Sequence, residues 1–308
     1  MKSAKDIYPP DRLTLREVGL RDGLQMVKVW PDTDAKYDWI RREHAAGLRH
    51  FEIGSFLPAK RFPQFSDVTD VAAFAHTLPH THSIALVLNE RGLTDAMRSG
   101  VGEIALVLSA TEAHSQANQR RSQTEALDLV RAATALRGTD GPLISVGIAM
   151  AFGCSISGAV SQSAVLALVE KCLDTGADVI GLADTVGYAG PDAVRDLTSA
   201  ALALCEDAPL CIHLHDTRGL GLANATAAMD AGSRVLDGSL GGLGGCPFAP
   251  GATGNIVIED LAFLAHTKGF ETGIDLEKLI RVREVLHETM PDETLYGAVA
   301  RAGPLPAL

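Results

Sequence analysis

The two histidines of HLHD, residues 213–216, stand one residue apart. Side chains alternate between the faces of a β-strand, so His213 and His215 project to the same side. Two imidazoles so placed can close on one divalent ion. Two strand histidines satisfied by neighbouring side chains would show the same spacing. A second reactive candidate lies in GGLGGCPFAPGATGN, residues 241–255, where Cys246 is set among glycines and prolines. A loop that only turns a corner has no need of a thiol, and glycines are poor company for burying an inert one. A loop built to carry a reactive group over a substrate has that need. The glycines before it would let residues 241–245 swing, and Pro247 would stiffen the chain beyond the thiol.

Two imidazoles leave coordination positions to fill. Asp22, in VGLRDGLQ, follows the first strand candidate, which would adjoin strands seven and eight in a closed barrel; Asn255 ends the glycine-rich loop. Taken singly, Asp22-Gly23 also reads as a tight turn and Asn255 as a helix N-cap. Taken with the histidines they make a mixed nitrogen and oxygen set, which suits Mg2+ or Mn2+ better than a thiolate-loving ion.

Such groups must be positioned by a scaffold, and the chain alternates short β-rich runs with helix-patterned stretches. Strand candidates are residues 13–19, 50–56, 82–88, 101–109, 142–150, 178–184, 210–216 and 234–240. Three intervening helices end alike, in HAAGLRHFEI, CLDTGADVIGL and AMDAGSRVLDG, a C-cap glycine leading into a buried strand. Eight strand–helix units over about 250 residues predict an α/β fold, a (β/α)8 TIM barrel, with catalytic groups at the C-terminal ends of the strands. A doubly wound sheet is the other option, but no GxGxxG follows the first strand. EDLAFLAHTKGF and DLEKLIRVREVLHET read as extra C-terminal helices. One domain is expected, with the barrel over about residues 12–265 and helices and tail over 266–308.

With 27 Lys and Arg against 38 Asp and Glu, the net charge of −11 argues against nucleic acid as a partner. It leaves room for a local cationic pocket that takes an anionic small molecule. Five cysteines without a CxxC spacing indicate neither a disulfide framework nor a thiolate zinc site. No apolar leader region and no membrane-length run is seen, so a cytoplasmic protein is expected. Cys172 and Cys205 fall in helical stretches. Cys211 is read as facing away from the two histidines, and all three as core; Cys154, in AFGCSISG, reads either way.

LREVGLRDGLQ, HLHDTRGLGLANATAAMDAG and GGLGGCPFAPGATGNIVIEDL together resemble the 3-hydroxy-3-methylglutaryl-CoA lyase family of metal-dependent lyase and Claisen-condensing barrels, from roughly residue 12 to 280. The Gly-Gly-Cys-Pro loop with GATGN is the most specific of these motifs. RDGLQ is shared with condensing synthases, which usually carry Glu where this chain has Leu24.

The resemblance implies retro-Claisen cleavage of a 3-hydroxyacyl-CoA to acetyl-CoA and a keto acid. It implies that Asp22, His213, His215 and Asn255 bind a divalent cation, that Arg21 contacts the thioester carbonyl and that Cys246 exchanges protons. Glu52, Ser55 and Asp184 match further positions that shape the substrate pocket. Asp22 and His213 are both plausible general bases, and the base is left unassigned.

Two departures bear on specificity. Met26-Val27-Lys28 stands where the family usually continues Asn-Glu-Lys, and GCSISG where it usually reads Gly-Cys-Pro-Tyr-Glu-Gly. Citramalyl-CoA or a related substrate is therefore an alternative, as is a condensing acyltransferase of the isopropylmalate or citramalate synthase type. Lys28, Lys60, Arg61, Arg120, Arg121 and Arg218 are candidates to meet CoA phosphates or a substrate carboxylate, Arg218 first among them. An acyl-CoA substrate and a homo-oligomer, a dimer, are the expected partners, with no membrane.

Overall fold

A computed structural model of the protein describes residues 3–244 and 254–303. Eight parallel strands close into a barrel in sequence order. They are β1 Thr14–Glu17, β2 His50–Ser55, β3 His82–Leu86, β4 Glu103–Ser109, β5 Leu143–Ala149, β6 Val179–Asp184, β7 Leu210–Leu214 and β8 Val235–Gly238. Closure is made by β1 on β8, with Thr14 opposite Val235 and Glu17 opposite Gly238. A short helix, α1 Ala4–Ile7, precedes the barrel. The outer ring is α2 Thr33–Ala45, α3 Val68–Thr77, α4 Glu90–Arg98, α6 Gln123–Leu136, α7 Gln162–Asp174, α8 Pro191–Cys205, α9 Gly221–Asp230 and α10 Ile258–Thr267. An additional helix, α5 Glu112–Gln119, sits in the connection after β4, and α11 Leu276–Thr289 and α12 Ala298–Ala302 follow the barrel. The first of the two helical stretches expected at the C-terminus is thus the eighth barrel helix.

Local chemistry places these elements. Ser122 caps α6 through a reciprocal box with Glu125. Gly47, at the end of α2, has φ +110°, and a Cβ there would lie 2.2 Å from the Gly273 carbonyl oxygen. Glycine is what lets the chain leave that helix and enter β2. Outward-facing strand residues such as Ile104, Ile144, Ile148, Ile180 and Ile212 are fully buried against the helices. At the N-terminal end of the barrel, Tyr8 packs on Leu143, Val179, Cys211 and Val235, and its hydroxyl donates to Glu103 Oε2 at 2.7 Å. Among the described residues no helix is long and apolar enough to cross a membrane.

Three buried carboxyls hold the strand ends where β1 meets β8. Glu17 accepts from the amides of Gly19 (2.6 Å) and Leu240 (3.1 Å), and Glu259 from that of Gly241 (3.0 Å) and from Arg283 (2.8 Å). Glu43 lies with them, fully buried. Burial pushes the Glu17 carboxyl from 4.5 up to about 8, and burial together with the charge of Glu17 pushes Glu43 well above the carboxylate range. A raised pKa in the fold means that the native state holds protons the unfolded chain has released. Stability from this pair is therefore complete below about pH 4.5 and is lost as pH rises toward 8. Thermal unfolding should show a loss on the order of 2 kcal/mol between pH 5 and 8, which Glu43→Gln reduces and the buried Glu17 partly retains. Equal pH slopes in wild type and variant would show that the pair is not linked to folding.

Candidate active site

The C-terminal end of β7 carries His213 in its last turn of pleat and His215 just beyond it. Their Nε2 atoms face each other at 3.1 Å. Asp22, at the start of the 3-10 turn that follows β1, brings Oδ2 to 3.7 Å from His215 Nε2. One ligand atom from each of Asp22, His213 and His215 falls within a mutual 4.8 Å. Because β8 separates β1 from β7, Asp22 reaches the histidines across the end of β8 rather than from an adjacent strand. Asn255 closes the fourth side by pairing with His215 as an isolated bridge. Its Nδ2 donates to Asp22 Oδ2 at 2.8 Å and to the Leu243 carbonyl at 3.2 Å. Gly244 permits that approach, since a Cβ there would lie 2.8 Å from Asn255 Nδ2.

These donors fit a divalent cation. Asn255 Oδ1 is buried with no hydrogen-bond partner among the described residues, an arrangement that costs free energy unless something occupies it. His213 Nδ1 lies 3.0 Å from Asp237 Oδ2, which makes Nδ1 the donor and turns the Nε2 lone pair toward the cluster. Burial disfavours the imidazolium of His213, but the hydrogen bond and charge of Asp237 outweigh it and raise the pKa. Asp22 stays ionised: burial opposes this, yet Arg21 beside it holds the carboxyl well below the usual range.

Asp237, which the sequence reading left as one residue of a strand, is the centre of the support. Arg16 grips it through Nε at 2.6 Å and Nη2 at 3.0 Å, and the Cys211 thiol donates to it at 3.2 Å. Cys211 thus shares the face of His213 and His215, as their common odd numbering requires, and lines the barrel interior instead of facing away. Cys172 and Cys205 are buried in α7 and α8 as expected. Cys154 is buried in the turn after β5, where its sulfur lies 3.2 Å from Thr111 Oγ1 and 3.4 Å from the amides of Ile156 and Ser157.

Arg21 links the cluster to a cavity of about 640 Å3. Its guanidinium pairs with Asp22 and, through Nε at 3.0 Å, with Glu52 on β2. Burial raises Glu52 to about 7 against the opposing pull of Arg21, so it can exchange a proton near neutrality. The remaining expected pocket residues stand farther off. Asp184 is buried and accepts from the amides of Tyr188 (2.8 Å) and Ala189 (3.1 Å), shaping the loop after β6. Ser55 is fully buried, and neither it nor Asp184 is among the residues that line the cavity. Arg218 donates to the Val186 (2.7 Å) and Gly187 (3.2 Å) carbonyls and stacks on Tyr188, outside the cavity wall. Lys28 is exposed and likewise off the wall, whereas Arg61 and Arg121 are on it. Lys60 and Arg120 are not among the lining residues. Cys246 lies outside the described residues. His114 and Asn118 on α5 also line the cavity; the only signal for them in the sequence was a helical pattern between two strands.

Residues 12–286 match the family model described as HMGL-like. The chain is 39% identical over 306 residues to the (R)-citramalyl-CoA lyase of Chloroflexus aurantiacus, covering 96% of each. It is 36% identical to a hydroxymethylglutaryl-CoA lyase of Bacillus subtilis, covering 91% of this chain and 94% of that one. In three dimensions it resembles an HMG-CoA lyase from Acinetobacter baumannii solved with coenzyme A and 3-methylmalate, with a TM-score of 0.88, 36% identity and 97% and 99% of the two chains covered.

Proposed function

Because the chain belongs to the HMGL-like family and is a carbon–carbon lyase, we propose that it cleaves a 3-hydroxyacyl-CoA to acetyl-CoA and a keto acid. The observation that carries this reading is the convergence of Asp22, His213, His215 and Asn255, whose Oδ1 has no partner among the described residues, beside Arg21 at one cavity. These four residues would hold Mg2+ or Mn2+, which supplies Lewis-acid polarisation of a hydroxyl and a carbonyl oxygen.

The chain's own residues do the rest. Cleaving the C2–C3 bond requires loss of the C3 hydroxyl proton and leaves the electron pair on C2, delocalised as the enolate of the thioester. Arg21 presents a fixed positive fork to that enolate oxygen, so its charge counts for more in the transition state than in the bound substrate. Of the groups near enough to receive the hydroxyl proton, Asp22 and His213 belong to the ligand set and Glu52 does not. The Cys246 thiol returns a proton to C2 and releases acetyl-CoA. Asp237 keeps His213 in one tautomer and so acts through it.

Hydroxymethylglutaryl-CoA and citramalyl-CoA are both substrates of relatives in this identity range, and both carry the C3 hydroxyl that the reaction needs. The chain should release acetyl-CoA from at least one of them when supplied with Mg2+ or Mn2+, followed as free keto acid by coupled reduction. Condensation of acetyl-CoA with a 2-keto acid, with no cleavage of either thioester, would instead establish a synthase.

A further inference from the structure

The interior of an eight-stranded barrel of this kind is ordinarily filled by layers of bulky branched side chains. Here one side of it is hollow. From β4 to β6 the cavity lining includes a run of small inward-facing residues, Ala105, Ser145, Gly147, Ala149, Gly181 and Ala183, beside Val107 and Val179. Gly147 and Gly181 are register partners on adjacent strands, and the Cβ of a residue at 181 would lie 3.2 Å from the Gly147 Cα. A Cβ at 147 would meet nothing nearer than the Leu106 carbonyl oxygen at 3.9 Å, so the space in front of it is open. Exposure runs opposite to that of a filled barrel. Gly147, Ala149, Gly181 and Ala183 are partly exposed, while Ile148 and Leu182 between them are fully buried.

The hollow lies deeper in the barrel than the candidate ion site. Gly181 is paired with Cys211 and Ala183 with His213, so the glycine pair sits two residues deeper than His213, roughly 6.6 Å along the strand. Toward β3 the same cavity is walled by Ile84, Leu86 and Leu88. The nearest cation in the floor, Arg16, is already held by Asp237 (2.6 and 3.0 Å) and Glu103 (3.4 Å). The Asp237 and Glu103 carboxylates beneath would repel an anionic group, while the glycine, alanine and aliphatic side chains on this part of the wall suit an apolar one.

The same cavity is also lined by Pro58, Phe62, Arg61 and Arg121. Arg61 and Arg121 are cations suited to the nucleotide phosphates of CoA. The part in front of Gly147 is left for the carbon skeleton on the far side of the scissile bond.

We propose that the preferred substrate carries at C3 an uncharged aliphatic substituent longer than methyl, seated in the hollow in front of Gly147 and Gly181. This rests on the acyl-CoA lyase reading and specifies its substrate class. The chemistry balances as before, because the substituent leaves with the keto acid.

The test compares 3-hydroxy-3-methylglutaryl-CoA and citramalyl-CoA with the homologues in which butyl replaces the C3 methyl, in the presence of Mg2+. The wild-type enzyme should favour a butyl homologue over its methyl parent by about tenfold or more in kcat/KM, since each methylene in a fitting apolar pocket is worth roughly tenfold. Gly147→Val and Gly147→Leu should reduce the butyl-to-methyl ratio progressively, by about 100-fold for leucine, with circular dichroism and Mg2+ titration confirming folded, ion-binding protein. Gly147→Ala gives a smaller step in the same direction if the larger residues disturb the strand. Cleavage of the methyl compounds with no preference for butyl, or a ratio indifferent to residue 147, would overturn the inference and leave the lyase reading standing. No cleavage of any of the four overturns the lyase reading itself.

Discussion

His213→Ala is expected to lose divalent-ion binding and acyl-CoA cleavage together, with kcat down by about 10^4-fold, or roughly 5.5 kcal/mol of barrier. The imidazole is one of three groups whose ligand atoms share a 4.8 Å sphere, and its removal leaves Asp22 and His215 with a reduced chelate. Isothermal titration with Mn2+ and an acetyl-CoA release assay on the same preparation measure the two losses. Asp237→Asn provides the graded control. It keeps an oxygen 3.0 Å from His213 Nδ1 but removes the charge, so affinity should fall about 10- to 100-fold while saturating metal restores most of kcat. An alanine variant that still binds Mn2+ as the wild type does would remove His213 from the ligand set.

Cys246→Ala should separate what His213→Ala joins. Its ion affinity should match wild type, because the thiol is outside the mixed nitrogen and oxygen set, while turnover falls about 10^3-fold through loss of the group that protonates C2. Cys246→Ser should recover little, since a hydroxyl is far less acidic than a thiol. The decisive measurement is kcat at saturating Mg2+ beside an Mn2+ titration. Full turnover in the alanine variant would show that the enolate takes its proton from elsewhere, and reduced ion affinity would place the thiol near the ligands.

Much of the scaffold could be read without coordinates. Every strand candidate contains one of the eight observed strands, because buried parallel strands leave dense apolar runs and their helices end in glycine. Asp22, His213, His215 and Asn255 converge as expected, since barrel topology places the ends of β1, β7 and β8 side by side. What escaped was whatever depends on depth within the barrel. Asp237 and Arg16 look like ordinary strand charges until their bidentate contact is seen. Arg218 illustrates the opposite error, because proximity to HLHD along the chain says nothing of its being taken up by the Val186 and Gly187 carbonyls. The hollow escaped as well: a glycine in a strand pattern signals a missing side chain, but only the facing strand tells whether that space is filled.

The contact between Asp22 and Asn255 joins positions 233 residues apart. One comes just after the first strand and the other just after the last, so the ion site straddles the line along which the barrel closes. During synthesis no ligand set exists until nearly the whole barrel has emerged and its two ends have met. An ion held there would act as a clasp on the final event of assembly.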